Sequence, residues 1–88
     1  MDTFDAVMFR WEGPGGWTFV AVPPELAPPP SEPWGRAPVR AEVEGVGWDT
    51  SVWHDRRHGP LLPVPARVRR GKKAGDSVRV AIGVRLGG

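Results

Sequence analysis

The sequence predicts an all-β protein: a small closed or pseudo-closed β-barrel of about six strands, with short helical caps and an internal pseudo-two-fold repeat. Three observations carry that reading. Apolar residues alternate with others in short runs, most clearly Val78, Val80, Ile82, Val84 and Leu86 against Arg79, Ala81, Gly83 and Arg85. That two-residue period is the mark of a half-buried strand. Eleven prolines and twelve glycines punctuate the chain between the runs, as heavily turned loops of an all-β domain require. One pattern, a strand, then a proline with a short helical start, then a strand, occurs twice. Val22-Pro23 aligns with Val64-Pro65, and Val39-Arg40-Ala41 with Val78-Arg79-Val80. The copies run over about 17–43 and 60–86, the first having three more residues in its connection.

In chain order, residues 4–11 form the first strand, with Phe4, Ala6 and Met8 on one face and Val7, Phe9 and Trp11 on the other. Apolar residues on both faces suit a strand covered on both sides or wrapped round a barrel. Glu12-Gly13-Pro14-Gly15-Gly16 turns the chain, and residues 17–22 return as the second strand. Residues 23–38 are the least regular. Pro28, Pro29 and Pro30 stop any helix begun at Pro23-Pro24 and favour an extended segment. Trp34, alone beside Gly35 in this loop, is either a lid packed over one end of the barrel or an exposed contact residue, and the lid is the arrangement expected.

Val39, Ala41 and Val43 alternate with Arg40, Glu42 and Glu44, and a turn follows at Glu44-Gly45-Val46-Gly47. The returning strand sets Trp48, Thr50 and Val52 opposite Asp49, Ser51 and Trp53. Residues 54–59 turn again, into a strand over 60–64. Pro65 suits the first position of a short helix. Gly71 and Gly75 then take the positive φ that ends it and reverses the chain, with Asp76 bonding nearby backbone N–H groups.

An 88-residue chain, residues 1–88, is expected to form one domain with a single modest core. It has no cysteine, which excludes disulfides, iron–sulfur clusters and thiolate zinc sites. Asp2 and Asp5 near the start, with no apolar run, argue against a signal peptide or membrane span, so a cytoplasmic location is expected. Arginine in place of lysine, and the lack of Asn, Gln and Tyr, reflect a GC-rich genome. The net charge of +2 conceals a division, with an acidic stretch over 1–53 and a basic one over 54–88. Such asymmetry marks either a nucleic-acid or acidic-partner surface or, more naturally in a small domain, two halves that attract one another within one barrel.

An aromatic strand ending in Val22-Pro23 is followed by Pro38-Val39 leading to Gly45, then Trp48-Asp49-Thr50-Ser51. After these come Leu62-Pro63-Val64-Pro65 with Val68-Arg69, and Gly75-Asp76-Ser77-Val78-Arg79-Val80. In this order and spacing, the chain resembles the DUF1905 family of small bacterial proteins over nearly its whole length. The resemblance implies a double-split β-barrel, related in shape to the swapped-hairpin proteins of the AbrB/MazE type. It carries over fold and no catalytic residue. The chain departs from the family pattern in its proline-rich 28–33 loop and in a shorter, more basic 71–74 segment.

Several functional patterns weaken on inspection. His54 and His58 are four apart, but in a turn that spacing does not converge, two arginines lie between them, and no third ligand accompanies them. No metal or cofactor is expected. Ser51 with His54 or His58 and Asp49 or Asp55 supplies the residue types of a nucleophilic triad without a nucleophile elbow. Glycines 13, 15 and 16 lack the Lys-Ser/Thr of a phosphate loop.

A non-enzymatic binding module is the reading that remains. Five tryptophans first of all supply buried area that so small a core needs. Trp34, Trp48, Ser51 and Trp53 are nonetheless the candidate residues of an aromatic barrel mouth that takes a small apolar or planar molecule or a protein. The alternative is nucleic acid or another anion, held by Arg67, Arg69, Arg70, Lys72 and Lys73. A third is an enzyme whose pocket no motif marks. Either a monomer or a homodimer is compatible with the sequence.

Overall fold

The first strand decides the architecture. In the computed structural model, which describes residues 1–11 and 16–84, it breaks at Met8 into β1 (Asp2–Val7) and β2 (Phe9–Arg10). After them come β3 (Thr18–Ala21), β4 (Arg36–Val43), β5 (Val46–Asp55), β6 (Gly59–Pro63) and β7 (Ser77–Val84). They form one antiparallel sheet in the order β1-β7-β4-β5-β6-β3-β2. The two pieces of the first strand therefore lie at opposite ends of that order. Met8 joins them: its N–H donates to the Asp76 carbonyl (2.9 Å) and its carbonyl accepts from Gly75 (2.8 Å). One bent strand thus serves both edges and curls the sheet on itself, leaving few open edges. Counting that strand twice gives seven strands rather than about six. The turn expected at 12–16 lies, except for Gly16, outside the described residues, as do Arg85 and Leu86 of the last strand.

Inside the curl, Met8, Val20, Val39, Val43, Val52, Leu62 and Val80 are fully enclosed, with Trp48 and Ile82 beside them. Each is the inward member of an alternating pair, so the two-residue period translates directly into the core. The β4–β5 turn is tighter than expected. Glu44 (φ 50°) and Gly45 (φ 83°) alone make it, and two left-handed residues match the right-handed twist of a hairpin. The Arg79 N–H donates to Glu44 Oε2 (2.6 Å), tying this turn to β7.

The strand registers carry the internal two-fold. The alignment of Val22 with Val64 takes Thr18 to Pro60. Val22 N–H indeed donates to Pro60 O (3.0 Å), and Val64 N–H to Thr18 O (2.8 Å). Between these reciprocal bonds Val20 faces Leu62, its own counterpart. Along β4 and β7 the other alignment makes Glu42 and Ala81 counterparts, and they too are paired. β5 answers to β1 and β2 together: Trp53 opposes Leu61 as Phe9 opposes Phe19. The symmetric unit is therefore larger than the two segments first recognised, because it includes the strand preceding each.

Both helical caps follow their prolines. Leu26 N–H donates to Pro23 O and Val68 N–H to Pro65 O, each at 2.9 Å. The first gives a 3-10 turn (Pro24–Leu26) and the second α1 (Ala66–Arg69). Pro65 sits one residue earlier than expected, as the N-cap in extended conformation, so its carbonyl opens the helix. Leu26 packs against the core and Val68 is buried in it, each closing an end of the barrel. Arg70 (φ 50°) and Gly71 (φ 87°) stop α1.

Gly75 has φ 98°, and Asp76 Oδ2 accepts the Lys73 N–H (2.8 Å) across the same turn. A Cβ at Gly75 would meet nothing within 4 Å, so the cost of Gly75→Val is backbone strain alone, about 1–3 kcal/mol. Urea denaturation should show that loss as a lower midpoint. An unchanged midpoint would mean that the turn relaxes without penalty.

Charge contributes little to holding the halves together. Asp5 and Arg79 pair across them at 3.1 Å, but both side chains are well exposed, and such pairs contribute about 0–1 kcal/mol. Among the described residues, no helix is long and apolar enough to cross a membrane.

Candidate functional site

Val20 and Leu62 face the core, so Phe19, Leu61 and the paired Trp53 face outward. Exposure would follow if nothing covered them, yet Phe19 is only 2% exposed. Other rings cover it. The Phe19 centroid lies 5.4 Å from Trp53, 5.6 Å from Trp11, 6.2 Å from Phe9 and 6.3 Å from Trp17. Edge-on contacts to Trp11 and Trp53 and an offset stack on Trp17 are favoured geometries for aromatic quadrupoles. The protein thus has a second apolar cluster on the outside of its sheet, over β2, β3, β5 and β6.

That cluster is concave. A groove of about 580 Å³ is lined by Trp11, Trp17, Phe19, Trp34, Trp53 and Leu61, with Arg36, His54 and Asp55 supplying its polar atoms. Trp17 is half-exposed along one side. Trp34 departs from the lid expected of it: the side chain is 89% exposed. The cause is local backbone. Ser31 and Glu32 both donate to the Arg36 carbonyl, so residues 31–36 form a tight loop with Trp34 (φ 68°) and Gly35 (φ 71°) at its tip. This left-handed pair turns the indole away from the core. His54 Nε2 donates to the Pro28 carbonyl (2.8 Å) and fixes the base of the same proline-rich segment beside β5.

The β5–β6 turn carries the other polar groups. Asp55 Oδ2 accepts from the backbone N–H groups of Arg57 (3.0 Å) and His58 (2.9 Å) and from His58 Nδ1 (2.9 Å). The His58 side-chain bond, then its backbone bond, hold the Asp55 carboxyl below its ordinary value. The His58 ring in turn lies 4.9 Å from that of Trp11. Among the described residues no three His, Asp or Glu side chains gather as metal ligands.

A second cavity of about 440 Å³ opens on the other side of Trp17, between β5 and α1. Its origin is a split in the sheet. β5 pairs with β6 only over Trp53–Leu61, His54–Pro60 and Asp55–Gly59, so Trp48, Asp49 and Thr50 diverge from Pro63, Val64 and Pro65. Arg67 and Arg69 reach in from α1, and Thr18 from β3.

The structure therefore divides the sequence candidates. Trp34 and Trp53 share the aromatic groove, whereas Trp48 lies on the core side of β5 and lines the second cavity. Ser51 shares a face with Trp53, opposite Pro38, and lines neither. Of the basic run, Arg67 and Arg69 line the second cavity, while Arg70, Lys72 and Lys73 are exposed on the turn after α1. Trp11 and Trp17 join the groove without having been singled out. The signal was present, since each stands two residues from a phenylalanine, Phe9 or Phe19, and so shares its face.

No curated protein matches the chain. The residues that line both cavities, from Trp11 to Arg69, lie within one family match that spans residues 4–82. The chain accordingly belongs to the family described as Domain of unknown function (DUF1905).

Proposed function

We propose that the protein is a binding module whose outer aromatic groove takes a small planar, largely apolar ligand. The supporting observation is convergence: four of the five tryptophans line one concavity on a rigid sheet, with few polar groups at its side. Its volume falls within the usual range for small-molecule sites, roughly 300–1,000 Å³. Two exposed indoles flank an already packed floor, so a flat ring gains stacking area without any need to open the fold. The left-handed Trp34 supports the same reading, because strain retained at an exposed residue needs a reason beyond stability.

Titration with benzyl alcohol, followed by the indole N–H resonances, tests this. The signals of Trp11, Trp17, Trp34 and Trp53 should shift together while that of Trp48 stays, with little dependence on salt because apolar burial drives the contact. Trp34→Gly should weaken binding several-fold yet leave stability equal or higher, since glycine accepts this φ without strain. Duplex DNA is the contrasting arm. The exposed Arg70, Lys72 and Lys73 should give only weak, sequence-independent attraction that moderate salt abolishes. Tight, sequence-selective DNA binding with no shift of the groove indoles would replace this proposal with the nucleic-acid one.

A further inference from the structure

The split that forms the second cavity has a counterpart. The internal two-fold relates the gap between β5 and α1 to one between β1 and the Pro24–Leu26 turn. In that counterpart the corresponding positions carry Phe4, Ala6, Leu26 and Ala27, apolar residues packed against the core. The same alignment that pairs Leu26 with Val68 sets Glu25 against Arg67 and Ala27 against Arg69. The fold therefore accommodates apolar groups at such a split. Two arginines in the other split are not required by the architecture.

Their surroundings say what they are suited to. Arg69 Nε is fully buried and has no hydrogen-bond partner among the described residues. An N–H held away from solvent without an acceptor is costly even where the rest of the side chain is only half-buried, and an oxyanion in the cavity would supply that acceptor. The buried Thr18 and the half-buried Thr50 line the same cavity and add hydroxyls. The guanidinium of Arg10 lies against Gly16, at the cavity's edge. Asp49 is the opposing charge, but its carboxylate is engaged by Arg40 on β4 (3.3 Å). The balance is cationic, with planar donors of the kind that match oxyanions.

We propose that the Arg67–Arg69 cavity binds an oxyanion, a phosphate or carboxylate, carried by the same ligand whose ring lies in the aromatic groove. Trp17 lines both cavities, which sets them side by side and lets one molecule reach both. The ligand class is thus an anionic aromatic compound. This rests on the groove reading, and the test keeps the two apart.

Benzyl alcohol, phenyl phosphate and inorganic phosphate are each titrated against the wild type, Arg69→Gln and Arg70→Gln/Lys73→Gln. Phenyl phosphate should bind about tenfold or more tighter than benzyl alcohol, as a charge-assisted contact implies. Arg69→Gln should remove that advantage and leave benzyl alcohol unaffected, while the Arg70/Lys73 variant changes neither. Benzoate in place of phenyl phosphate then distinguishes a carboxylate from a phosphate. Equal affinity for the charged and neutral probes overturns the oxyanion site. Loss of the advantage in the Arg70/Lys73 variant does so too, since it would reduce the effect to diffuse charge. If inorganic phosphate binds through Arg69 but benzyl alcohol moves no groove indole, the groove reading fails and with it the single ligand, while the oxyanion site stands.

Discussion

Phe19→Ala is expected to cost about 3–5 kcal/mol, the range for removing a buried aromatic ring. The phenyl group touches four other rings, at centroid distances from 5.4 to 6.3 Å, and none of them can collapse into the space without giving up its own contacts. A chain of this size has a total stability of roughly 5–10 kcal/mol, so the variant should be close to unfolding in mild urea. Phe19→Leu retains most of the buried area and should lose much less. The measurement is the urea midpoint of both variants. A loss below about 1 kcal/mol for alanine would show that the outer cluster is loosely assembled and contributes little beyond the inner core.

Leu62→Ala should be comparably severe, about 2–5 kcal/mol, for a different reason. Leu62 is completely buried and opposes Val20 at the centre of the β3–β6 pairing, where the two halves meet. For a domain of this size each 1 kcal/mol moves the melting temperature by about 4–8 °C, so a fall of roughly 8–40 °C is expected. The slope of stability against urea should be unchanged, because the variant exposes the same surface on unfolding. A shallower slope would mean that the halves come apart separately rather than together.

Much of the fold is legible in the sequence because its determinants are local. Alternation from Val78 onward, the Gly75-Asp76 turn and the two Val-Pro junctions each specify a backbone geometry within a few residues. What could not be read is how distant pieces meet. Nothing in residues 2–10 says that the strand will break at Met8 and serve both edges, because that depends on the Asp76 carbonyl and the Gly75 N–H lying beside it. The extent of the symmetric unit was hidden for the same reason, since β5 and the first strand share a role and almost no residues.

The candidate site was partly legible, and one error in it was avoidable. Alternation along β5 sets Trp48 with Val52 and Trp53 with Ser51, on opposite faces of the sheet. Trp48 and Trp53 therefore cannot line one mouth, and the structure separates them accordingly. Trp34 is another matter. Its outward course follows from left-handed backbone at two successive residues, and only glycine at the second gives any hint of that. Nor does sequence alone reveal that Arg67 and Arg69 part company with Arg70, since that division depends on where α1 ends.

The reciprocal bonds from Val22 to Pro60 and from Val64 to Thr18 make the chain read as twin copies joined end to end. In a dimer of two identical halves both gaps would be identical, so any change that opened one would open both. Joining the copies in a single polypeptide frees them to diverge. One gap can keep apolar Phe4, Ala6, Leu26 and Ala27 against the core, while its twin carries arginines and an opening. Duplication in this architecture thus allows one copy to specialise without unfolding the other.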